Sequence, residues 1–413
     1  MYSISPPPAS PGYGPARLRV LHLNERLSAR GGADRHLVAV LARLQGRLQT
    51  LLAVGHHDQS LPPDELARIG PWRRLKGLDR SGLTGRGGRA ARRRLEGLLA
   101  EFAPDVIHLH NVMDPELIAA AAQAAPAVMT VQDHRLFCPG RGQLTPQGRP
   151  CTQVLGEPCM ACFAEPDYGA RLIALTRRRL QAAAHLARVL VLSSYMARSL
   201  AAAWQATDTP APPLEVLPPP VDRLTPAPRR GPGRYHLLAG RLVARKGIEV
   251  ALEAAARLQE PLPLVVAGDG PLAGRVRRAG VQWVGWADRE RMQALLTGAR
   301  CLWLPSLWAE PFGIVGLEAL ALETPVIASR VGGVQDWLEP EVCGILVPPG
   351  DPLALAAAAD RLARRPGLAR SLGRAGRRRV ERRFAPGPLM ARLETVYRQV
   401  SAPAPPRPRG HGR

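Results

Sequence analysis

Short apolar runs of strand length alternate along the chain with stretches of helical period. Leu18 to Leu23 comes first, followed by a loop over Ser28 to Gly32 and a helical pattern from Ala33 to Arg47. Thr50 to Val54, Val106 to His110, Val128 to Gln132, Val189 to Leu192 and Glu215 to Leu217 read as further strands, with helical segments between most of them. The basic, glycine-bearing segment Arg73 to Gly88 interrupts the series and reads as a mobile loop. Alternation of this kind predicts parallel strands joined by crossover helices.

Pro210 to Pro232 is rich in proline and suits a semi-rigid linker. Beyond it the pattern restarts, with strands at His236 to Ala239, Leu264 to Ala267, Gln282 to Val284, Cys301 to Leu304, Val326 to Ala328 and Ile345 to Val347, each followed by a helical stretch. Two helices, Pro366 to Arg383 and Pro388 to Val400, end the series, and the last is free to pack back on the first domain. A chain of 413 residues is longer than one hydrophobic core usually grows. The expected fold class is therefore α/β, two Rossmann-like domains facing across a cleft. The expected division is a disordered leader over 1–15, a first domain over 16–220 with a cysteine-rich loop at 133–166, a second domain over 233–385, a terminal helix over 386–401 and a disordered tail over 402–413. In such sheets ligands bind beyond the carboxyl ends of the strands, so the loops there are where chemistry is sought.

Apolar residues make up 46% and charged residues 22%, and no stretch of 18 residues is free of charge, so no membrane-spanning helix is expected. The leader has neither a basic start nor an apolar core and does not read as a signal peptide, so a cytoplasmic protein is expected, with peripheral contact at the inner face of the membrane. The net charge of +22 invites a nucleic-acid reading. Only Lys76 and Lys246 are lysines, so 56 basic residues less 2 leaves 54 arginines, most of them suited to solvated helix faces. No nucleic-acid motif accompanies the charge, which argues against that partner. Clusters such as Arg86 to Arg94 and Arg177 to Arg179 suit peripheral contact with an anionic membrane face or an anionic acceptor.

Glu310-Pro-Phe-Gly-Ile-Val-Gly-Leu-Glu318 follows the strand Cys301 to Leu304 directly. Two carboxylates flank a helix start. Pro311 near the first turn and Gly313 beside it leave the N–H groups of Gly313, Ile314 and Val315 free for a phosphate. On spacing alone, Glu310 also suits a helix cap and Glu318 a solvated face. Gly240-Arg-Leu-Val-Ala-Arg-Lys-Gly247 sits between a strand and a helix, with Arg241 and Lys246 five apart. Two such cations can offset the charge of a departing diphosphate without a metal, and the same sequence also suits a surface turn.

Cys138, Cys151, Cys159 and Cys162 lie close together in the chain, and thiols kept reduced suit a structural zinc site better than disulfides. The other reading is four unlinked loop thiols. Cys301 and Cys343 read as core residues.

Taken together, these parts resemble the retaining GT-B glycosyltransferases of family 4, in a cysteine-bearing form, over Leu18 to about Arg383. Gly31-Gly32-Ala33-Asp34 is similar to that family's Gly-Gly-Ala-Glu loop, Pro104-Asp-Val-Ile-His-Leu-His110 to its Pro-Asp-Val strand, and Ser193-Ser-Tyr-Met196 to its serine motif. Ala267-Gly-Asp-Gly-Pro271, Gly332-Gly333, Gly344 to Asp351 and the Glu-x7-Glu pair fit as well. The resemblance implies that Arg241 and Lys246 hold a donor diphosphate, Glu310 the transferred sugar and Glu318 the ribose. It places Gly268, Phe312, Gly313, Ile314 and Val315 at the donor, with Gly31 and Gly32 closing from the other domain. It also implies transfer with retention from a nucleotide diphosphate sugar of hexose type to a polysaccharide, glycolipid or other cell-envelope acceptor. No Asp-x-Asp occurs, in agreement with catalysis that needs no metal. Where family members often carry His-Asp, this chain has Gln132-Asp133-His134, so Asp133 and His134 are the acceptor-side candidates. His108 and His110 are expected to be strand residues satisfied by the backbone. The rival readings are a nucleotide-sugar epimerase or hydrolase of the same fold, and a basic nucleic-acid or membrane-surface binding module with a relict donor site.

Overall fold

Strands buried on both faces need apolar side chains at nearly every position, and the short central strands here have them: Val106–Leu109, Ala127–Val131, His236–Ala239, Leu264–Ala267 and Cys301–Leu304 are buried throughout. The structure is a computed structural model that describes residues 17–79, 88–222, 224, 231 and 233–402. The leader over 1–15, residues 403–413 of the tail and 80–87 lie outside those described residues. The first sheet comprises β1 (Arg19–Leu27), β2 (Gln49–His57), β3 (Trp72–Arg74), β4 (Val106–Leu109), β5 (Ala127–Val131), β6 (Arg188–Val191) and β7 (Leu214–Val216). The second comprises β8 (His236–Ala239), β9 (Leu264–Ala267), β10 (Gln282–Gly285), β11 (Cys301–Leu304), β12 (Val326–Ser329) and β13 (Gly344–Val347).

The strand orders are β3-β2-β1-β4-β5-β6-β7 and β10-β9-β8-β11-β12-β13, with every pairing parallel. In each sheet the order reverses once, between β1 and β4 and between β8 and β11. Crossover helices leave such a point toward opposite faces, and a crevice opens at the carboxyl ends of the two strands. Two expectations change. Arg73 and Arg74, placed in a loop by their charge, belong with Trp72 to β3, which pairs with β2 as an edge strand where exposed arginines meet solvent. Arg179, counted in a surface basic cluster, is buried and donates to the backbone carbonyls of Met113 and Arg135. Among the described residues no helix is long and apolar enough to cross a membrane.

The helix Pro386–Ser401 lies on the first sheet rather than the second. Its Leu389, Met390, Leu393, Val396 and Tyr397 share one core with Val20, Val106, Val128 and Leu190. A polar knot is buried beneath it. The Tyr397 hydroxyl bonds His108 Nδ1 at 2.6 Å, Thr130 Oγ1 bonds His108 Nε2 at 2.8 Å, and His22 Nδ1 lies 3.2 Å from His110 Nε2. His108 and His110 are thus met by side chains, not by the backbone partners expected of strand histidines. Burial holds these imidazoles neutral, along with that of nearby His36, which bonds Gln132: it lowers His22 to about 3 and His36 to about 4, and drives His108 and His110 well below the ordinary range.

A histidine whose folded-state pKa is depressed binds its proton more readily in the unfolded chain. Its contribution is complete above the unfolded value near 6.5 and is lost as pH falls toward 4. We expect the thermal midpoint to drop steadily between pH 6.5 and pH 4.5, with up to about 1.4 kcal/mol lost per pH unit for each such histidine. Calorimetry across that range checks it, and a midpoint independent of pH there would contradict the neutral cluster.

Candidate active site at the cleft

Glycine geometry places the first cation. After β8 the chain runs through Gly240 and Arg241 into a single 3-10 turn, Ala244–Lys246, that ends on Gly247 at φ 71°. A Cβ at Gly247 would lie 1.8 Å from the Pro305 carbonyl oxygen, so only glycine lets this turn rest on the loop after β11. The Leu307 N–H donates to the Arg245 carbonyl at 2.9 Å and ties the two loops together. Gly268, at φ 142°, plays the same part from below, since a Cβ there would sit 1.9 Å from the Gly240 carbonyl oxygen. Its place is therefore in supporting the cation loop.

Docked this way, Lys246 Nζ reaches Glu310 Oε1 at 2.5 Å across a sequence separation of 64. Ser306 Oγ donates to the same oxygen at 2.5 Å. Glu310 is 2% exposed. Burial alone would raise its carboxyl, but the Lys246 charge and the hydrogen bonds from Lys246 and Ser306 outweigh it and hold the group below the usual range. Arg245 and Lys246 both lie over the Trp308 ring, at 4.8 and 5.4 Å from its centre. Arg241 is exposed, has no ion pair among the described residues, and lies near enough to act on Asp34 of the facing domain.

The backbone of Glu310 is gripped as firmly as its side chain. The Gly333 N–H donates to the Glu310 carbonyl at 2.7 Å, and a Cβ on Gly332 would come within 2.3 Å of that oxygen. The helix that follows is Ile314–Ala321, with Gly313 in the left-handed conformation at φ 83° as its cap. It starts later than Pro311, which instead accepts a hydrogen bond from Ser193 Oγ at 2.8 Å. The first N–H groups of a helix have no intrahelical acceptor, so those of Ile314 and Val315 stay available to an anion. The Phe312 side chain is buried edge-on against Phe384, 5.9 Å between ring centres, and its carbonyl accepts from Trp337 Nε1 at 2.6 Å. Glu318 is half-buried in the helix, its carboxyl raised by burial against the pull of Arg35 and Arg289.

From the first domain, Gly31 caps the helix Gly32–Leu44, and Gly32 points at Ile314, whose Cδ1 would be 3.8 Å from a Cβ there. Asp133 pairs with Arg135 at 2.8 Å, and Arg135 pairs with Glu25 at 2.8 Å, whose carboxyl burial pushes up to about 7. His134 meets the Tyr195 hydroxyl at 3.1 Å, and its ring centre is 5.0 Å from that of Trp308, across the cleft. Burial lowers it to about 4, so it is neutral at neutral pH. Ser194 donates from N and Oγ to Asp336 at 2.5 and 2.7 Å, closing the domains beside the site.

Sequence reasoning passed over Trp308, Arg245 and Ser306. Trp308 had one signal, an aromatic residue in the turn just before Glu310. One buried group does have metal-like spacing: His22, His108 and His110 have ring nitrogens within 4.8 Å of one another. His108 spends both nitrogens on Tyr397 and Thr130 and stacks on His110 with centres 4.0 Å apart, so the lone pairs do not converge on an ion.

Two parallel α/β domains facing across a cleft, each with its switch-point loops turned to the other, define the GT-B class. Residues 30–223 match the family described as Glycosyltransferase Family 4, and residues 227–379 match Glycosyl transferases group 1. The two matches run nearly end to end, and the chain belongs to this glycosyltransferase family. It is 36% identical over 136 residues to an uncharacterized glycosyltransferase of Methanocaldococcus jannaschii, covering 30% of this chain and 35% of that one. It is 36% identical over 168 residues to a glycogen synthase of Mycobacterium tuberculosis, covering 38% and 40%. The chain thus spans well under half the length of these curated relatives. In fold it is similar to Anabaena HepE, crystallised with UDP and glucose, at a TM-score of 0.68 and 16% identity over 92% of this chain and 100% of that one.

The buried Lys246–Glu310 pair makes a stability prediction independent of activity. Removing one partner strands the other charge, so Lys246→Met and Glu310→Gln should each destabilise, and the double variant should recover part of the loss. A double-mutant cycle by denaturant unfolding should give a coupling of about 0.5–3 kcal/mol, and strictly additive effects would contradict the pairing.

Proposed function

We propose that this chain is a retaining, metal-independent glycosyltransferase that moves a hexose-type sugar from a nucleotide diphosphate donor to a carbohydrate or lipid-linked acceptor of the cell envelope. The observation that carries the reading is the meeting of Lys246 with Glu310, beside Arg245 and Arg241 and ahead of a free helix N-terminus, at one switch point. Cations and N–H groups suit a diphosphate, while the fixed carboxylate suits the hydroxyls of a sugar placed against it. Gly247 rests on Pro305, in the loop that leads to the helix at Ile314, and this contact supports one ligand shared by the cations after β8 and that helix start. The complexes of HepE with UDP and glucose support a donor of this kind.

In this reading Arg241 and Lys246 stabilise the diphosphate as its bond to the anomeric carbon breaks. The acceptor oxygen bonds that carbon, and its proton passes to the departing phosphate oxygen. Glu310 orients the sugar, Glu318 binds the ribose, and Gly31 and Gly32 close over the donor from the facing domain. Asp133 and neutral His134 line the acceptor side, with His134 a hydrogen-bonding group and not a cation. The exposed arginines of the helix Gly88–Phe102 support peripheral contact with an anionic membrane face.

Screening nucleotide sugars for thermal stabilisation identifies the donor, since a ligand at 100 times its dissociation constant stabilises by about 2.7 kcal/mol. Replacing Arg241 and Lys246 together by alanine should cost at least about 3 kcal/mol of transition-state stabilisation, on the order of a hundredfold in rate. Near-normal turnover in that variant would refute the assignment.

Transfer should persist after mild chelation, and NMR of the product should show the anomeric configuration of the donor. An inverted product would overturn the mechanism.

A further inference from the structure

The connection from β5 to the helix Pro166–Ala183 carries four of the six cysteines as free thiols, and the donor site uses none of them. Local geometry sets them around one cavity. Cys138 closes the 3-10 turn His134–Leu136, its N–H donating to the His134 carbonyl at 2.7 Å. A tight hairpin follows, with Leu144 bridged antiparallel to Pro150 and the Cys151 N–H on the Gln143 carbonyl at 2.8 Å. This pairing sets Cys151 beside Gln143, whose own N–H donates to Cys138 Sγ at 3.3 Å. Cys159 and Cys162 stand three apart in the 3-10 helix Glu157–Cys162, and three residues make one turn, so both project from one side. Gly140 lacks the Cβ that would crowd Cys162 at 3.1 Å. All four cysteines line one cavity of about 20 Å³, the room of a single water-sized sphere.

We propose that Cys138, Cys151, Cys159 and Cys162 bind one zinc ion that fixes this connection. Four thiolates about one centre are a zinc ligand set, with sulfurs about 3.8 Å apart at a Zn–S distance of about 2.3 Å. Among the described residues no three of these sulfurs lie within 4.8 Å of one another, so ligation draws them in by side-chain rotation around a cavity they already ring. Connections this long without a sheet of their own are uncommon, and a metal staple offsets the entropy of ordering one.

The staple reaches the donor cleft. Gly142, at φ +72° in the same hairpin, packs so closely on Trp308 that a Cβ would lie 2.8 Å from its ring. Tyr195 donates to the Gln143 side chain and also meets His134. Zinc therefore holds the wall against which Trp308, the platform for Arg245 and Lys246, rests. This second step rests on the donor-site reading; the metal site does not.

Elemental analysis of the full-length protein decides the first step without any activity assay. We expect about one zinc per chain, lost in the Cys159→Ser/Cys162→Ser variant, with the four thiols protected from a thiol reagent until chelation. Metal-free protein with freely titrating thiols, a mass showing two disulfides, or the visible absorbance of an iron–sulfur cluster would each overturn it. Because the variant can misfold, the wild type is also stripped with a chelator and its circular dichroism followed. For the second step, hydrogen exchange over residues 305–310 should speed up on stripping and recover when zinc alone is restored. Unchanged exchange in protein that has lost its zinc overturns the coupling to Trp308.

Discussion

A carboxylate almost wholly removed from water needs a cation within contact distance, and the need of Glu310 for Lys246 organises the second domain's loops. Alone, the buried charge would cost several kcal/mol. The lysine comes from the loop after β8 and the glutamate from the loop after β11, so the pair forms only because these strands are neighbours at the point where the sheet order reverses. Gly247 against Pro305, Gly268 against Gly240 and Gly332 against Glu310 are the close approaches that allow it. Each excludes a side chain for a stated reason, and all three serve one ion pair. The same tightness leaves Lys246 about a quarter exposed, enough to meet a ligand on its open side.

The facing of the two domains rests on a second set of contacts. Ser193 and Ser194 bond Pro311 and Asp336, immediately beside the Glu310 loop. At the other end the helix Pro386–Ser401 returns to the first sheet and completes its core over the buried histidines. Phe384, which precedes that helix, packs on Phe312. The start of the terminal helix and the Glu310 loop thus share one apolar contact, which explains why a residue that reads as part of a ligand motif has its ring turned inward.

Much of the fold was legible because burial writes itself into pattern. Four-residue apolar runs such as Leu264 to Ala267 and Cys301 to Leu304 have nowhere to lie except inside a sheet covered on both faces, and their alternation with helices implies parallel pairing. β3 escaped because an edge strand rich in arginine has no such constraint. In the cleft, residue types with a recognisable spacing stood out: the two glutamates of Glu-x7-Glu, and Arg241 with Lys246. Trp308 and Arg245 did not, since one aromatic ring and one arginine among 54 carry no pattern. His108 was legible as a strand residue but not as the partner of Tyr397, which arrives from a separation of 289.

By itself, the sequence determined the α/β class, the two series of strands and helices, and the kinds of groups the loops present, because these follow from local period and composition. Tertiary structure alone decided which of those groups meet. Lys246 touches Glu310, His134 faces Trp308 and Phe312 turns to Phe384 because strand order, glycine contacts and the returning terminal helix bring distant segments together. No spacing along the chain records such distances, since they depend on how the sheets cross over and on where a missing Cβ lets two backbones touch.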